Sequence, residues 1–302
     1  MFTRLATVSD LDAMTWVLIG ASPLDPIYPY RFPDRHLYPD EFTTLCRQKC
    51  REYLATSTVV VCEMEEDDQE DVAYADALLD LAARNRANTR RRRAAPPPGG
   101  RRTKVVAFSA WDTPIPRLQP VGEPLPHGQT SSPQTIGHKT RMQAFRTQCA
   151  TSKQQFFDQP YKSRGVGHMF LKILLCHPAY QRRGAGSALT RWGIDQAAKH
   201  RLDTTVFASP MGLELYKKLG FEEVGRFRVQ VDGDDEYLEI PALVLEWKDE
   251  RGLAEKSGCE VGSLDVQSLG TRERGILRIG TSSGMFHGEM GSQVRRVVST
   301  LS

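Results

Sequence analysis

The chain has 302 residues, of which 40% are apolar and 25% charged, a composition far from the low-hydrophobicity, high-charge class that stays unfolded. Lys and Arg number 40 against 37 Asp and Glu, a net charge of only +3, which argues against a dedicated nucleic-acid or polybasic membrane protein. At roughly 100–200 residues per domain, the length fits one large domain or two ordinary ones.

No apolar signal-peptide core follows Met1, and runs such as Val59–Cys62 and Ile173–Cys176 are too short to cross a bilayer. The 6 cysteines show no CxxC spacing. Cys46 and Cys50 share a helical face with no His or third Cys nearby, so two buried thiols are expected there and no metal site. A reducing, cytoplasmic setting follows as the default.

In chain order, Phe2–Thr7 alternates like a half-buried strand. Ser9 opens a helix with Asp12 three residues on, an acidic form of the capping box. The proline-rich stretch Pro23–Pro33 breaks that helix. A second helix is predicted from about Pro39 to Ala55, and the β-branched run Thr58–Met64 is a strand. Glu63–Asp71 is then dominated by acids, Arg84–Lys104 by bases, and AAPPPGG (94–100) interrupts the basic block. Opposed charge blocks with a Pro/Gly break read as a solvated insertion, 65–102, with a short helix possible only over Val72–Ala83. The run Arg90–Arg93 is a nuclear-entry or nucleic-acid candidate, but no aromatic residues interleave it for base stacking.

Strand character returns at Lys104–Trp111, and Thr113–Gly137 is too rich in Pro, Gly, Ser and Thr for regular structure. Thr140–Phe157 has helical spacing, although 112–166 as a whole is treated as an irregular insertion. His168–Cys176 (HMFLKILLC) is the strongest strand. A helix at Ser187–His200, a strand at Thr204–Ala208 and a helix at Met211–Leu219 follow, the last stopped by Gly220. Strands are predicted at Glu222–Val231 and Ala242–Trp247. From Asp249 onward periodicity disappears, and 249–302 is expected to be a disordered tail.

The chemistry concentrates in ILLCHPAYQRRGAGSAL, residues 173–189. A buried strand ends at His177–Pro178, and Gln181–Gly186 leads directly into a helix. A helix start leaves backbone N–H groups unpaired and carries the positive end of the dipole. Gly184 and Gly186 lack a Cβ, so a phosphate can approach the backbone, and Arg182 and Arg183 add charge. Neither the dinucleotide fingerprint nor the P-loop pattern fits QRRGAG.

These residues resemble the acyl-CoA-binding motif of the GNAT acyltransferase superfamily, and SPMGLELYKKLGF (209–221) is similar to that family's second signature, Tyr-x-x-x-Gly-Phe. The layout most resembles fungal small-molecule GNAT enzymes. The resemblance implies an α/β (α+β) GNAT fold: a mixed, mostly antiparallel twisted sheet of about seven strands, flanked by helices, with splayed central strands. It implies acetyl-CoA as co-substrate. Leu174, Leu175 and Cys176 would offer backbone groups to the pantetheine arm. Gln181, Arg182, Arg183, Gly184, Ala185, Gly186 and Ser187 would hold the pyrophosphate. Ser209 stands where many relatives have an Asn that touches the cofactor.

By the same resemblance, Tyr216 is the general acid for the departing thiolate, a role suited to a phenol protonated at neutral pH. An alkylamine acceptor is only about 0.1% neutral at pH 7, a cost of roughly 4 kcal/mol that a base or desolvation must cover. The central strand has no carboxylate, so His168 is the candidate base and Asp112 the second.

The function expected is acetyl transfer from acetyl-CoA to the amine of a small molecule. Acetylation of a protein or polyamine, and a non-catalytic CoA-binding module, are the alternatives. Acceptor specificity is expected in Pro23–Pro39 and Thr113–Arg164. Setting aside 65–102, 112–166 and 249–302 leaves the usual length of one domain, so 1–248 is expected to be a single acyltransferase domain.

Overall fold

The computed structural model describes residues 1–65, 103–114 and 136–248. The expectations for the charge blocks, Val72–Ala83, the Pro/Gly-rich residues 115–135 and the tail 249–302 lie outside the described residues. Met1–Asp249 forms one compact unit.

Seven strands build one sheet: β1 (Phe2–Leu5), β2 (Thr58–Glu65), β3 (Thr103–Asp112), β4 (His168–Cys176), β5 (Asp203–Phe207), β6 (Glu222–Gln230) and β7 (Tyr237–Leu245). Their order is β1-β2-β3-β4-β5-β7-β6. Only β4 and β5 pair in parallel; the other neighbours are antiparallel. The mixed, mostly antiparallel sheet of the α/β class is thus the architecture observed.

Helices α1 (Leu11–Ala21), α2 (Ile27–Arg31) and α3 (Pro39–Thr56) precede β2. Helices α4 (Lys139–Lys153) and α5 (Gln159–Ser163) precede β4, α6 (Ala185–Lys199) follows it, and α7 (Pro210–Lys218) follows β5. Met14, Val17 and Leu18 of α1 pack with Phe42, Cys46 and Cys50 of α3 against Val59, Val61 and Phe108 on one face. Leu189 and Ala197 of α6 pack with Trp111, Met169 and Leu171 on the other. The α6 backbone comes so close to Trp111 that a Cβ on Gly193 would overlap the indole. Cys46 and Cys50 are free and buried. No helix among the described residues is long and apolar enough to cross a membrane, and no metal-ligating cluster occurs among them.

Four expectations need correction. The capping box before α1 uses Thr7 and Asp10 rather than Ser9 and Asp12: the Asp10 carboxylate accepts the Thr7 N–H at 2.7 Å. Arg4 on β1 decides this, because it donates to both Asp10 oxygens at 2.8 Å. The proline-rich stretch does not stay irregular, for α2 forms inside it. The segment 112–166 holds α4, a π-helical turn over Gln154–Asp158, and α5. Arg141 pins α4 to the β6–β7 hairpin by donating to Asp234 at 2.8 Å. Finally, β7 begins at Tyr237 rather than Ala242. Pro241 obscured its start, but this proline lies just beyond the β5 pairing, where its carbonyl accepts the Ala208 N–H at 3.0 Å.

Candidate active site

Two irregularities in β4 make the site. The β3 register passes from Ala110 opposite Ile173 to Trp111 opposite Leu171, so Lys172 is an extra residue and the strand changes phase there. Met169 and Leu171 face the α6 side, whereas Ile173 and Leu175 face α1 and α3. Pairing with β5 also ends at Leu171 opposite Val206. From Leu174 to Cys176 the edge of β4 is therefore open on the side β5 has left, an edge to which an extended amide chain can add.

A cavity of about 430 Å³ occupies this gap. Leu174, Leu175, Cys176, Gln181, Arg182, Gly184, Ala185, Gly186, Ser187, Ser209 and Tyr216 all line it. The loop that enters α6 has left-handed backbone at Arg182 (φ 64°) and at Gly184 (φ 93°), the α6 N-cap. Left-handed residues alternating with ordinary ones turn successive N–H groups toward one side, a concave anion nest. The free N–H groups at the start of α6 face the same way by helix geometry. Gly186 lets α7 approach, since a Cβ there would lie 3.2 Å from Leu215. The Gln181 side chain ties the loop to the strand by donating to the Cys176 carbonyl at 3.2 Å. This open edge, nest and slot fit a nucleotide thioester with an extended amide arm. The Cys176 thiol is pushed up to about 12 by burial, so it is a neutral wall rather than a nucleophile.

Tyr216 is fixed by the end of its own helix. Phe221 N–H donates to the Tyr216 carbonyl and Gly220 N–H to the Lys217 carbonyl, both at 3.0 Å, with Gly220 at φ 91°. That is a Schellman ending, and the Phe221 ring packs on Tyr216 at 5.6 Å. Burial, and then the charge of Asp25, raise the phenol above its ordinary pKa. The hydroxyl therefore stays protonated and able to donate.

Two of the residues expected at the site lie elsewhere. Arg183 is absent from the cavity lining, and its guanidinium carbon stands 5.2 Å over the Tyr180 ring. His168 starts β4, at the opposite end from Cys176. Its Nδ1 meets Thr205 Oγ1 at 2.8 Å, its Nε2 meets Asp158 at 3.2 Å, and the Tyr161 ring packs tilted against it at 4.6 Å. Burial lowers its pKa. Both ring nitrogens are committed, and the structure does not support His168 as the base. Asp112 is occupied as well, paired with Lys172 at 2.8 Å.

Two acids line the cavity, Glu214, whose side chain is exposed, and Asp25, which no sequence motif singles out. Asp25 lies in the α1–α2 connection and lines the cavity with Ser209 and Tyr216. Its Oδ1 accepts the Ile27 N–H at 3.0 Å, an Asx turn, and the nearby Ser209 hydroxyl acts to lower its pKa. Burial nonetheless raises its pKa above the ordinary carboxylate value. The available signal was an acid between two prolines, Pro23 and Pro26, in the break after α1.

Residues 127–233 match the family model of the acetyltransferase (GNAT) domain. A curated protein from Stachybotrys chartarum named "Acetyltransferase" is 30% identical over 94 residues, covering 31% of this chain. The chain thus spans only 37% of that relative's length. Among solved structures, a histone acetyltransferase and related acetyltransferase from Corynebacterium glutamicum is similar at 16% identity, over 82% of this chain and 96% of its own, with a TM-score of 0.45. A mosquito arylalkylamine N-acetyltransferase is similar at 14% identity, over 81% and 98%, with a TM-score of 0.40.

Proposed function

We propose that this chain, whose residues 127–233 match the acetyltransferase (GNAT) domain model, is an acyltransferase that moves an acetyl group from acetyl-CoA to the amine of a small molecule. Residues 1–248 act as one catalytic domain. The observation that carries this reading is the convergence of Asp25, Ser209 and Tyr216 on a cavity beside the open edge of β4.

Acetyl-CoA enters as a substrate, its amide arm along Leu174–Cys176 and its pyrophosphate against the nest at Gln181–Ser187. Asp25 then takes a proton from the acceptor ammonium. A carboxylate with raised pKa is a better base than an exposed one. The Ser209 hydroxyl and the Ile27 N–H orient it. The freed nitrogen lone pair attacks the thioester carbonyl, the C–N bond forms, the C–S bond breaks, and the nitrogen gives its second proton to solvent to leave a neutral amide. The departing sulfur takes the proton of the Tyr216 hydroxyl. Asp25 and Tyr216 return to their starting states by passing one proton from the carboxyl, through solvent, to the phenolate.

Calorimetric titration with acetyl-CoA tests the first part, and the expected result is saturable binding; its absence sinks the reading. Tyr216→Phe tests the second, with turnover lowered about 10²- to 10⁴-fold, the usual range for a lost general acid, and acetyl-CoA affinity retained.

A further inference from the structure

Arg31 closes α2, and among the described residues no carboxylate forms an ion pair with it, although its charge acts on Asp25. Its guanidinium carbon stands 5.0 Å from the ring centre of Tyr28, 5.1 Å from Phe32 and 4.5 Å from Phe145. These three rings fix the plane of the group. Its Nε–H donates to the Ile27 carbonyl at 3.1 Å, and among the described residues the two terminal nitrogens have no hydrogen-bond or ion-pair partner. Four of its five donors are thus unused. They form the planar fork that takes a carboxylate through two parallel hydrogen bonds.

Two phenols stand beside this fork. Tyr28 and Tyr53 are only partly buried, although they lean on the core between α1, α3 and the sheet. Among the described residues neither hydroxyl has a hydrogen-bond partner. Burial raises both phenols, and the Arg31 charge acts against that rise in each. The same charge reaches Asp25, which lines the cavity. A half-buried guanidinium whose forked terminal donors meet no partner among the described residues presents the geometry that an anion takes.

We propose that Arg31, with the hydroxyls of Tyr28 and Tyr53, binds a carboxylate of the acceptor, so that the amine substrate is an amino acid in the broad sense. This rests on the amine-acceptor reading above. Asp25 receives the amine end, Arg31 the acid end, and the rings of Tyr28 and Phe145 flank the acid group.

The test has two arms. In the first, 3-phenylpropionate and pentanoate, which carry the carboxylate without an amine, are titrated calorimetrically into the full chain in the presence of CoA. At least one is expected to bind saturably. Its affinity should fall tenfold or more in Arg31→Gln, less in Arg31→Lys, and severalfold in Tyr53→Phe, which deletes only a hydroxyl and guards against a misfolded arginine variant. Binding by neither, or binding indifferent to Arg31 and Tyr53, overturns the proposal. The second arm compares acetylation of phenylalanine with phenethylamine, and of 5-aminopentanoate with pentylamine. The expected result is a kcat/KM at least tenfold higher for the acid in one pair, with the ratio falling toward one in Arg31→Gln. Equal or better acetylation of the plain amines also overturns the proposal. Arg31-dependent carboxylate binding with no acetylation of any amine leaves the carboxylate site standing and sinks the amine-acceptor reading instead.

Discussion

The two ends of β4 carry similar materials to opposite outcomes. Each end has a histidine, His168 at the start and His177 just past the finish, and each has a tyrosine within stacking distance. At the His168 end β5 is paired alongside, α5 supplies Tyr161, and Asp158 and Thr205 hold both imidazole nitrogens. At the other end β5 has left and a cavity opens. A titratable group becomes chemically available through what the neighbouring elements fail to cover, more than through its own type.

Three substitutions press on that contrast, from the largest effect to the smallest. Asp25→Asn at the open end should lower kcat by about 10²-fold or more, within the range of a lost general base. The sign of its pH dependence follows from the raised pKa of Asp25. The base works when ionised, so wild-type kcat/KM should fall as pH drops through a value above the ordinary carboxylate pKa, and Asn should abolish that limb. An unchanged acid limb would remove Asp25 from the mechanism. At the closed end, His168→Ala should leave kcat within about threefold of wild type, far less than the 10²-fold a lost base costs. It should cost about 2–4 kcal/mol of stability in urea unfolding, the scale of an emptied, ring-packed site. A hundredfold loss of turnover in a folded His168→Ala protein would reverse the comparison. Gly184→Ala places a Cβ on left-handed backbone, a strain of roughly 1–2 kcal/mol. Acetyl-CoA binding should weaken about tenfold if the nest must relax to relieve it, read by titration calorimetry.

What the sequence disclosed follows the range of the interactions. QRRGAG and the Tyr-x-x-x-Gly-Phe ending are legible because nest, N-cap and Schellman geometry are formed within a few residues. The extent of β4 is equally legible, as an apolar run. Asp25 was not, because its proximity to Tyr216 arises from folding two distant segments together. His168 misled for the same reason in reverse: it looked free only while α5 and the π-helical turn that supplies Asp158 were unknown. Arg183 follows two residues that line the cavity, yet its side chain leaves for Tyr180, a choice no local pattern records.

The imidazole beyond the open end has a further consequence. His177 lies flat on Trp16 of α1, ring centres 3.6 Å apart at an interplanar angle of 7°. Burial, aided by the Lys104 charge, lowers its pKa to about 4. The unfolded chain therefore binds this proton more readily than the folded one. The stability His177 contributes is present above the ordinary imidazole pKa and is lost progressively as pH falls from there to about 4. The same protonation sets an electron acceptor against an excited indole. Trp16 is thus a built-in optical gauge, dimming in acid, of the joint between the first helix and the end of the strand that frames the cavity.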